Sequence, residues 1–188
     1  MSLHAVYRLR QKRLAASTRP FLARGGKIQR CELCRVRQEA CICHLRPQVA
    51  PVQAAFCLLM FDTEPMKPSN TGYLIADVLP DNTRAFLWSR TQIDPELLEL
   101  IADPRWQPYV VFPESYATVG RTIATSSQVS TQNNAKAPLF ILLDGTWPEA
   151  KKMFRKSPYL DSFPLLSLIG GAVSRYDLRQ AANAEQLC

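Results

Sequence analysis

The chain has 188 residues, a length that suits one main domain with a small accessory module. Its hydrophobic content of 47% is ordinary for a globular protein, and no apolar run is long enough to span a bilayer. The N-terminal residues lack the apolar segment of a secretory signal, which predicts a cytoplasmic protein.

The positive charge lies in the first quarter of the chain. Residues 1–50 carry 11 Lys or Arg against two Glu, a balance of +9, whereas residues 51–188 carry 12 basic and 14 acidic residues, a balance of −2. A basic block attracts a polyanion, because each phosphate that it neutralises releases bound counterions. We therefore expect contact with nucleic acid; the alternative is a solubilising basic tail.

The first predicted element is a short basic helix within residues 6–24, ending before Pro20. A cysteine module follows with the pattern C-x2-C-x6-C-x-C, formed by Cys31, Cys34, Cys41 and Cys43. Four thiolates close a tetrahedral zinc site without an open position, so we predict a structural Zn²⁺ ion. His44 ranks below the cysteines as a ligand, and four reduced free cysteines are the alternative.

Basic side chains surround this module. We predict that they form a surface for the nucleic acid. The residues concerned are Arg30, Arg35 and Arg37.

From residue 54, strand and helix signals alternate along the chain. Strands are predicted at residues 54–61, 85–88, 109–112, 139–143 and 165–169, and helices at residues 69–78, 95–102 and 147–156. A loop rich in Ser, Thr, Gln and Asn occupies residues 124–134. The alternation predicts an α/β fold with a mostly parallel sheet. No glycine-rich dinucleotide or nucleoside-triphosphate motif occurs, so neither ligand class is supported.

The segment that follows the predicted strand at residues 139–143 says most about a possible ligand site. The strand ends at Asp144, Gly145 allows a sharp turn, and Thr146 with Glu149 forms a capping box at a helix N-terminus. Ligands of open α/β sheets bind beyond the carboxyl ends of strands. Asp144 offers an acceptor and Trp147 a stacking surface for a base; the alternative is a capped helix with Trp147 in the core.

The same reasoning applies to a second segment, which also follows the end of a predicted strand. A strand ends near residue 61, Asp62 and Glu64 follow, and Ser69 or Asn70 can cap the next helix. The two carboxylates suit the ammonium and sulfonium groups of a cationic ligand, although solvated loop carboxylates are the alternative. We expect this segment to meet the turn at residues 144–147 in one pocket.

The helix after Thr146 presents a basic run. Such a run is usually a solvated face, but beside a site it can guide a phosphate backbone. Its members are Lys151, Lys152, Arg155 and Lys156.

These motifs together resemble a known family. Asp144-Gly-Thr-Trp147, followed by Pro-Glu-Ala-Lys-Lys-Met, resembles the signature of DTW-domain proteins. Three further features agree: the cysteine module, the stretch Glu64…Ser69-Asn70-Thr71-Gly72, and Arg175-Tyr176-x-Leu-Arg179. The likeness covers roughly residues 6 to 188 and is similar to the bacterial tRNA-uridine aminocarboxypropyltransferases of the family.

The resemblance implies an activity and a fold. The fold would be SPOUT-like, with a knotted C-terminal part in a catalytic domain over residues 51–188, preceded by the basic zinc module over residues 1–50. The activity would be transfer of the 3-amino-3-carboxypropyl group of S-adenosylmethionine to N3 of a uridine in the variable-loop region of tRNA, releasing 5′-methylthioadenosine. The family pattern continues after Cys188, so we expect this chain to lack part of the donor pocket.

The resemblance also suggests roles for the residues. Asp144 is the candidate base for uridine N3, Thr146 orients the ligand, and Trp147 stacks or packs. The candidates for donor binding are Asp62, Glu64, Ser69, Asn70, Thr71, Gly72, Arg175 and Tyr176. A SAM-dependent RNA methyltransferase and a non-catalytic zinc-containing RNA-binding module are the rival functions.

Overall fold

The computed structural model describes residues 3–22, 25, 27–125, 128–129 and 136–168. Along these residues the helices are α1 (Ala5–Ala15), α2 (Gly72–Val78), α3 (Pro95–Ala102) and α4 (Trp147–Arg155). The strands are β1 (Ala55–Met60), β2 (Thr83–Leu87), β3 (Trp106–Val111), β4 (Ile123–Ala124), β5 (Ala137–Asp144) and β6 (Leu165–Leu166).

The strands form one parallel sheet in the order β2-β1-β5-β3-β6-β4, which confirms the predicted α/β class. Strand β5 lies in the centre of the sheet, between β1 and β3. Met60 at the end of β1 is in register with Asp144 at the end of β5. Because parallel strands end at the same edge, the residues that follow β1 lie beside Asp144.

Helices cover both faces of the sheet. On one face, Leu59 and Ile141 pack with Met153 of α4; on the other, Leu58 and Met60 pack with residues of α1 and α2. Strands buried on both faces read as continuous apolar runs, which is why β1 and β5 were predictable. Burying each large aliphatic side chain contributes roughly 1.5–3 kcal/mol.

The boundaries of several elements differ from those predicted. Helix α3 begins and ends as predicted, and α1 ends at Ala15, before Pro20 as predicted, although it begins at Ala5 rather than within residues 6–24. The predicted start of α2 at residue 69 is wrong: residues 67–70 form a turn in which the Asn70 amide donates to the Lys67 carbonyl, and the helix begins at Gly72. Strand β4, only two residues long, was not predicted.

Strand β3 contains a proline and begins earlier than the predicted strand. The strand begins at Trp106 rather than residue 109, and it includes Pro108. Alternate amides of β3 face β6, since Val110 donates to Pro164 and Phe112 donates to Leu166. Pro108 faces the same side before β6 begins, so its missing N–H leaves no ladder bond unmade.

Candidate functional site

Two segments that are distant in sequence meet at the carboxyl edge of the sheet. Asn70 Nδ2 donates to Asp144 Oδ2 at 2.8 Å and to Glu64 Oε2 at 3.2 Å. The Tyr73 amide donates to Asn70 Oδ1 at 3.2 Å, which fixes the orientation of the side-chain amide. One NH₂ group therefore holds two carboxylates together.

The 3₁₀ turn after β1 supplies the second carboxylate. Glu64 begins this turn, Pro65 occupies a position where no N–H is needed, and Glu64 is only 6% exposed. Its charge is compensated by an ion pair with Lys67 three residues later. Lys67 was not among the predicted site residues, although its spacing from Glu64 was the signal that could have identified it.

Gly72 is required by the position of the Asp144 carboxylate. A Cβ atom added at Gly72 would lie 2.3 Å from Asp144 Oδ2 and 3.3 Å from Asn70 Oδ1. Real Cβ atoms do not approach oxygen so closely, so any side chain here would displace Asp144. Gly72 thus permits close contact between the start of α2 and the end of β5.

The surroundings of Asp144 make it a weak acid by comparison with an exposed aspartate. The pKa of Asp144 is raised to about 6, mainly by burial and also by the nearby Glu64 carboxylate, while the Asn70 hydrogen bond and the Lys67 charge oppose the shift. A carboxylate with this pKa can accept a proton near neutral pH and release it again.

The turn after β5 has the predicted capping box. Glu149 Oε2 accepts hydrogen bonds from the Thr146 amide at 2.7 Å and from the Thr146 hydroxyl at 2.6 Å. Trp147 is half-buried: its ring stacks on Tyr116 and meets Phe112 edge-on, with centroids 6.2 and 5.6 Å apart. Trp147 therefore packs against the core, with its remaining exposed part beside the turn.

Other predicted members of the second segment do not join this cluster. Asp62 is half exposed and receives two hydrogen bonds from the Arg13 guanidinium, at 2.6 and 2.9 Å. The bond from Arg13 holds the pKa of Asp62 below its ordinary value. Ser69 and Thr71 are exposed beside the cluster, and neither side chain caps α2. Arg175 and Tyr176 lie outside the described residues.

The basic run on α4 is divided into two kinds of side chain. The Lys151 ammonium lies 5.1 Å from the Tyr116 ring centroid, and Lys152 lies 5.7 Å from the centroids of Phe61 and Trp88. These lysines therefore make cation–π contacts at the edge of the sheet. Arg155 and Lys156 are exposed.

The four cysteines form a cluster that fits a zinc ion. Their sulfur atoms lie within 4.8 Å of one another, with 3.6 Å between Cys31 and Cys43 and 3.8 Å between Cys34 and Cys41. A tetrahedron with Zn–S distances of about 2.3 Å places its sulfurs about 3.8 Å apart. His44 is exposed and does not belong to the cluster, so the cysteines would provide all four ligands and leave the ion a structural role.

The backbone of the module favours thiolate at Cys31. Burial raises the pKa of this thiol, but the amides of Cys34 and Leu33 donate to the sulfur and bring the pKa down to about 7. Arg35 has a φ of 60°, which lets the chain turn back so that the Cys31 amide donates to Val36. A non-glycine residue in this conformation costs on the order of 1–3 kcal/mol.

The predicted basic residues of the module lie in different surroundings. Arg30 and Arg37 pair across an antiparallel bridge, and Arg37 is exposed. Arg30 Nη1 donates to the Arg35 carbonyl at 3.2 Å. The Arg35 guanidinium is about half-buried and turns toward α1 rather than outward.

The fold and the site together define an α/β protein with a parallel sheet, a carboxylate cluster at its carboxyl edge and a four-cysteine module. The DTW domain family model matches residues 28–188, so the chain belongs to the DTW-domain family. No solved structure matches the chain. Among the described helices, none has the length and apolar character needed to cross a membrane. Membership of the family supports a role in tRNA modification.

Proposed function

We propose that this protein transfers the 3-amino-3-carboxypropyl group of S-adenosylmethionine to N3 of a uridine in the variable-loop region of tRNA. The observation that carries the proposal is the Asp144 carboxylate, held by Asn70 at the carboxyl edge of the sheet. Support comes from its raised pKa and from the family to which the chain belongs. The knotted SPOUT-like architecture implied by the resemblance is part of the same proposal.

The proposed reaction needs a base and a positioned donor. Asp144 takes the N3 proton of the uridine, N3 forms a bond to the γ-carbon of the methionine moiety, and the bond from that carbon to sulfur breaks. Sulfur keeps the electron pair and leaves as the neutral thioether of 5′-methylthioadenosine. Asp62 is bound by Arg13, so it is not the carboxylate that we expect to attract the donor's positive charge.

The four-cysteine site has a separate role. Zn²⁺ bound by Cys31, Cys34, Cys41 and Cys43 would fix the shape of the module and supply no step of the reaction. The basic residues of the module and of α4 would bind the tRNA backbone without reading its sequence.

Mass spectrometry of the modified nucleoside tests the proposal. tRNA is incubated with S-adenosylmethionine and the protein, then digested; we expect a uridine carrying aminocarboxypropyl, with 5′-methylthioadenosine in equal amount. Asp144→Asn should reduce the rate by about 10²–10⁴-fold, the range for loss of a general base. The control Asp81→Asn changes an exposed aspartate before β2.

Three results would contradict parts of the proposal. A methylated nucleoside with S-adenosylhomocysteine would indicate a methyltransferase. tRNA binding without any modified nucleoside would indicate a non-catalytic RNA-binding module. Full activity of a folded Asp144→Asn variant would refute the role of Asp144 as the base.

A further inference from the structure

The two oxygens of the Asp144 carboxylate lie in different surroundings. Oδ2 accepts a hydrogen bond from Asn70 Nδ2 at 2.8 Å, and it lies so close to Gly72 that a Cβ atom there would be only 2.3 Å away. Oδ1 receives no hydrogen bond from the residues that the structure describes, although Asp144 itself is only partly buried. One oxygen is therefore anchored, and the other is left to react.

The side chain that anchors Oδ2 is itself fixed on every polar atom. Asn70 is 7% exposed, and its Oδ1 atom accepts from the Tyr73 amide at 3.2 Å. Its Nδ2 atom gives one proton to Asp144 and the other to Glu64 Oε2. Because both N–H groups are engaged within the protein, Asn70 has no donor left for a bound ligand.

Two charged groups act on Asp144 beside this hydrogen bond. The pKa of Asp144 is raised mainly by burial; the hydrogen bond to Oδ2 opposes this shift, the Glu64 charge adds to it and the Lys67 charge opposes it. The other carboxylates close in the chain are Glu149 of α4 and Asp62 after β1, and each is engaged by hydrogen bonds of its own. The hydrogen bond to Oδ2 thus favours the ionised form that a base requires.

We infer that Asn70 is a positioning residue for the proton transfer: by holding Oδ2, it leaves Oδ1 as the oxygen that takes the N3 proton of the uridine. The electron pair that stays on N3 then forms the bond to the γ-carbon. Glu64 supports this arrangement, because it accepts the second Asn70 proton and keeps the amide in its orientation. The inference rests on the proposed function and deepens it, since it assigns Asn70 to the base rather than to the donor pocket.

The test compares the pH dependence of transfer in wild type and Asn70→Ala. Without the hydrogen bond to Oδ2, the ionised form of Asp144 loses a stabilising donor, so the acid limb of kcat/KM should move to higher pH by about 1 unit. The kcat on the pH-independent plateau should fall about tenfold, because Oδ1 is no longer oriented. The KM for S-adenosylmethionine should stay unchanged.

Asn82→Ala is the matched control. Asn82 also donates two hydrogen bonds through Nδ2, to the carbonyls of Val52 at 2.9 Å and Ala54 at 2.8 Å, but it lies just before β2 at the amino edge of the sheet. We expect this variant to be less stable without any movement of the acid limb. The control therefore separates an effect on Asp144 from a general loss of stability.

Glu64→Gln should move the acid limb in the opposite direction. Glutamine keeps the size of the side chain and still offers an oxygen to Asn70, but it removes the negative charge beside Asp144 and leaves Lys67 without its partner. Both changes favour the ionised base, so the limb should move to lower pH by roughly 0.5–1 unit. This variant tests the inference even if Asn70→Ala does not fold, and a limb that moved to higher pH would overturn it.

Carboxyl-carbon NMR of the protein without substrate measures the titration of Asp144 directly. We expect its midpoint to rise in Asn70→Ala and to fall in Glu64→Gln. An unmoved midpoint and acid limb in a folded Asn70→Ala variant would overturn the inference. A higher KM for S-adenosylmethionine as the only change would also overturn it and would assign Asn70 to the donor pocket. Wild-type protein that forms no modified uridine would instead refute the proposed function, and the NMR titration would then decide the role of the hydrogen bond by itself.

Discussion

The cysteine module and the parallel sheet are held together by different physical means. Between residues 27 and 50, Cys34 is the one buried residue, so the module has almost no apolar core. The sheet instead buries large side chains on both faces, such as Leu59, Ile141 and Met153. We therefore expect the module to depend on a metal ion held by its four cysteines, whereas the sheet depends on packing.

The connection between the two regions is polar. Arg46 at the end of the module donates to the buried Asp77 of α2 at 2.8 Å, and its guanidinium lies 4.0 Å from the Cys43 sulfur. His4 approaches the same carboxylate, with 3.9 Å between its Nε2 atom and Asp77. Arg46 thus links the module to α2 through charged groups rather than through the apolar core.

The largest expected effect comes from removing one metal ligand. Cys34→Ser should abolish zinc binding and unfold the module, because structural zinc contributes roughly 10–16 kcal/mol to small zinc-binding peptides. The sheet should still melt cooperatively in circular dichroism, while metal analysis shows zinc falling from about one ion per chain to none. Cys57→Ser, a buried cysteine of β1 outside the cluster, is the control that keeps the zinc. If Cys34→Ser retained a full zinc ion, the four-cysteine site would be wrong.

The two regions also differ in how far their sequences predicted them. The four-cysteine cluster could be predicted because its members are close in sequence. The ends of β1 and β5 could be predicted from apolar runs and capping signals. The Asn70 amide between Glu64 and Asp144 could not, because it depends on the register of β1 with β5 and on a 3₁₀ turn.

Gly72→Ala separates the geometry of the site from the stability of the fold. Alanine in a helix is normally more stable than glycine by roughly 0.5–1 kcal/mol. Here its Cβ would collide with Asp144 Oδ2, so we expect transfer to fall by about 10–100-fold while the protein remains folded. Steady-state kinetics together with thermal melting checks this expectation. The control is Leu74→Ala, which introduces alanine at an exposed position of the same helix. Wild-type kinetics in Gly72→Ala would show that the close contact has no catalytic importance.

The smallest expected effect concerns the cost of keeping Asp144 ionised. Its pKa is about 6 in the folded protein against 3.8 when exposed, so folding favours the protonated form. This contribution to stability is complete below pH 3.8 and is lost as the pH rises through 6. Asp144→Asn carries no charge and should therefore be more stable than wild type at pH 8, by about 1–2 kcal/mol after allowance for partial exposure. The difference should vanish near pH 4, and Asp81→Asn should show no such trend.

Thermal melting of wild type and Asp144→Asn at both pH values tests this expectation. A variant no more stable than wild type at pH 8 would mean that Asp144 is ionised without cost. A variant that gains stability and loses transfer would show that the sheet tolerates a destabilising charge at its edge because catalysis requires it.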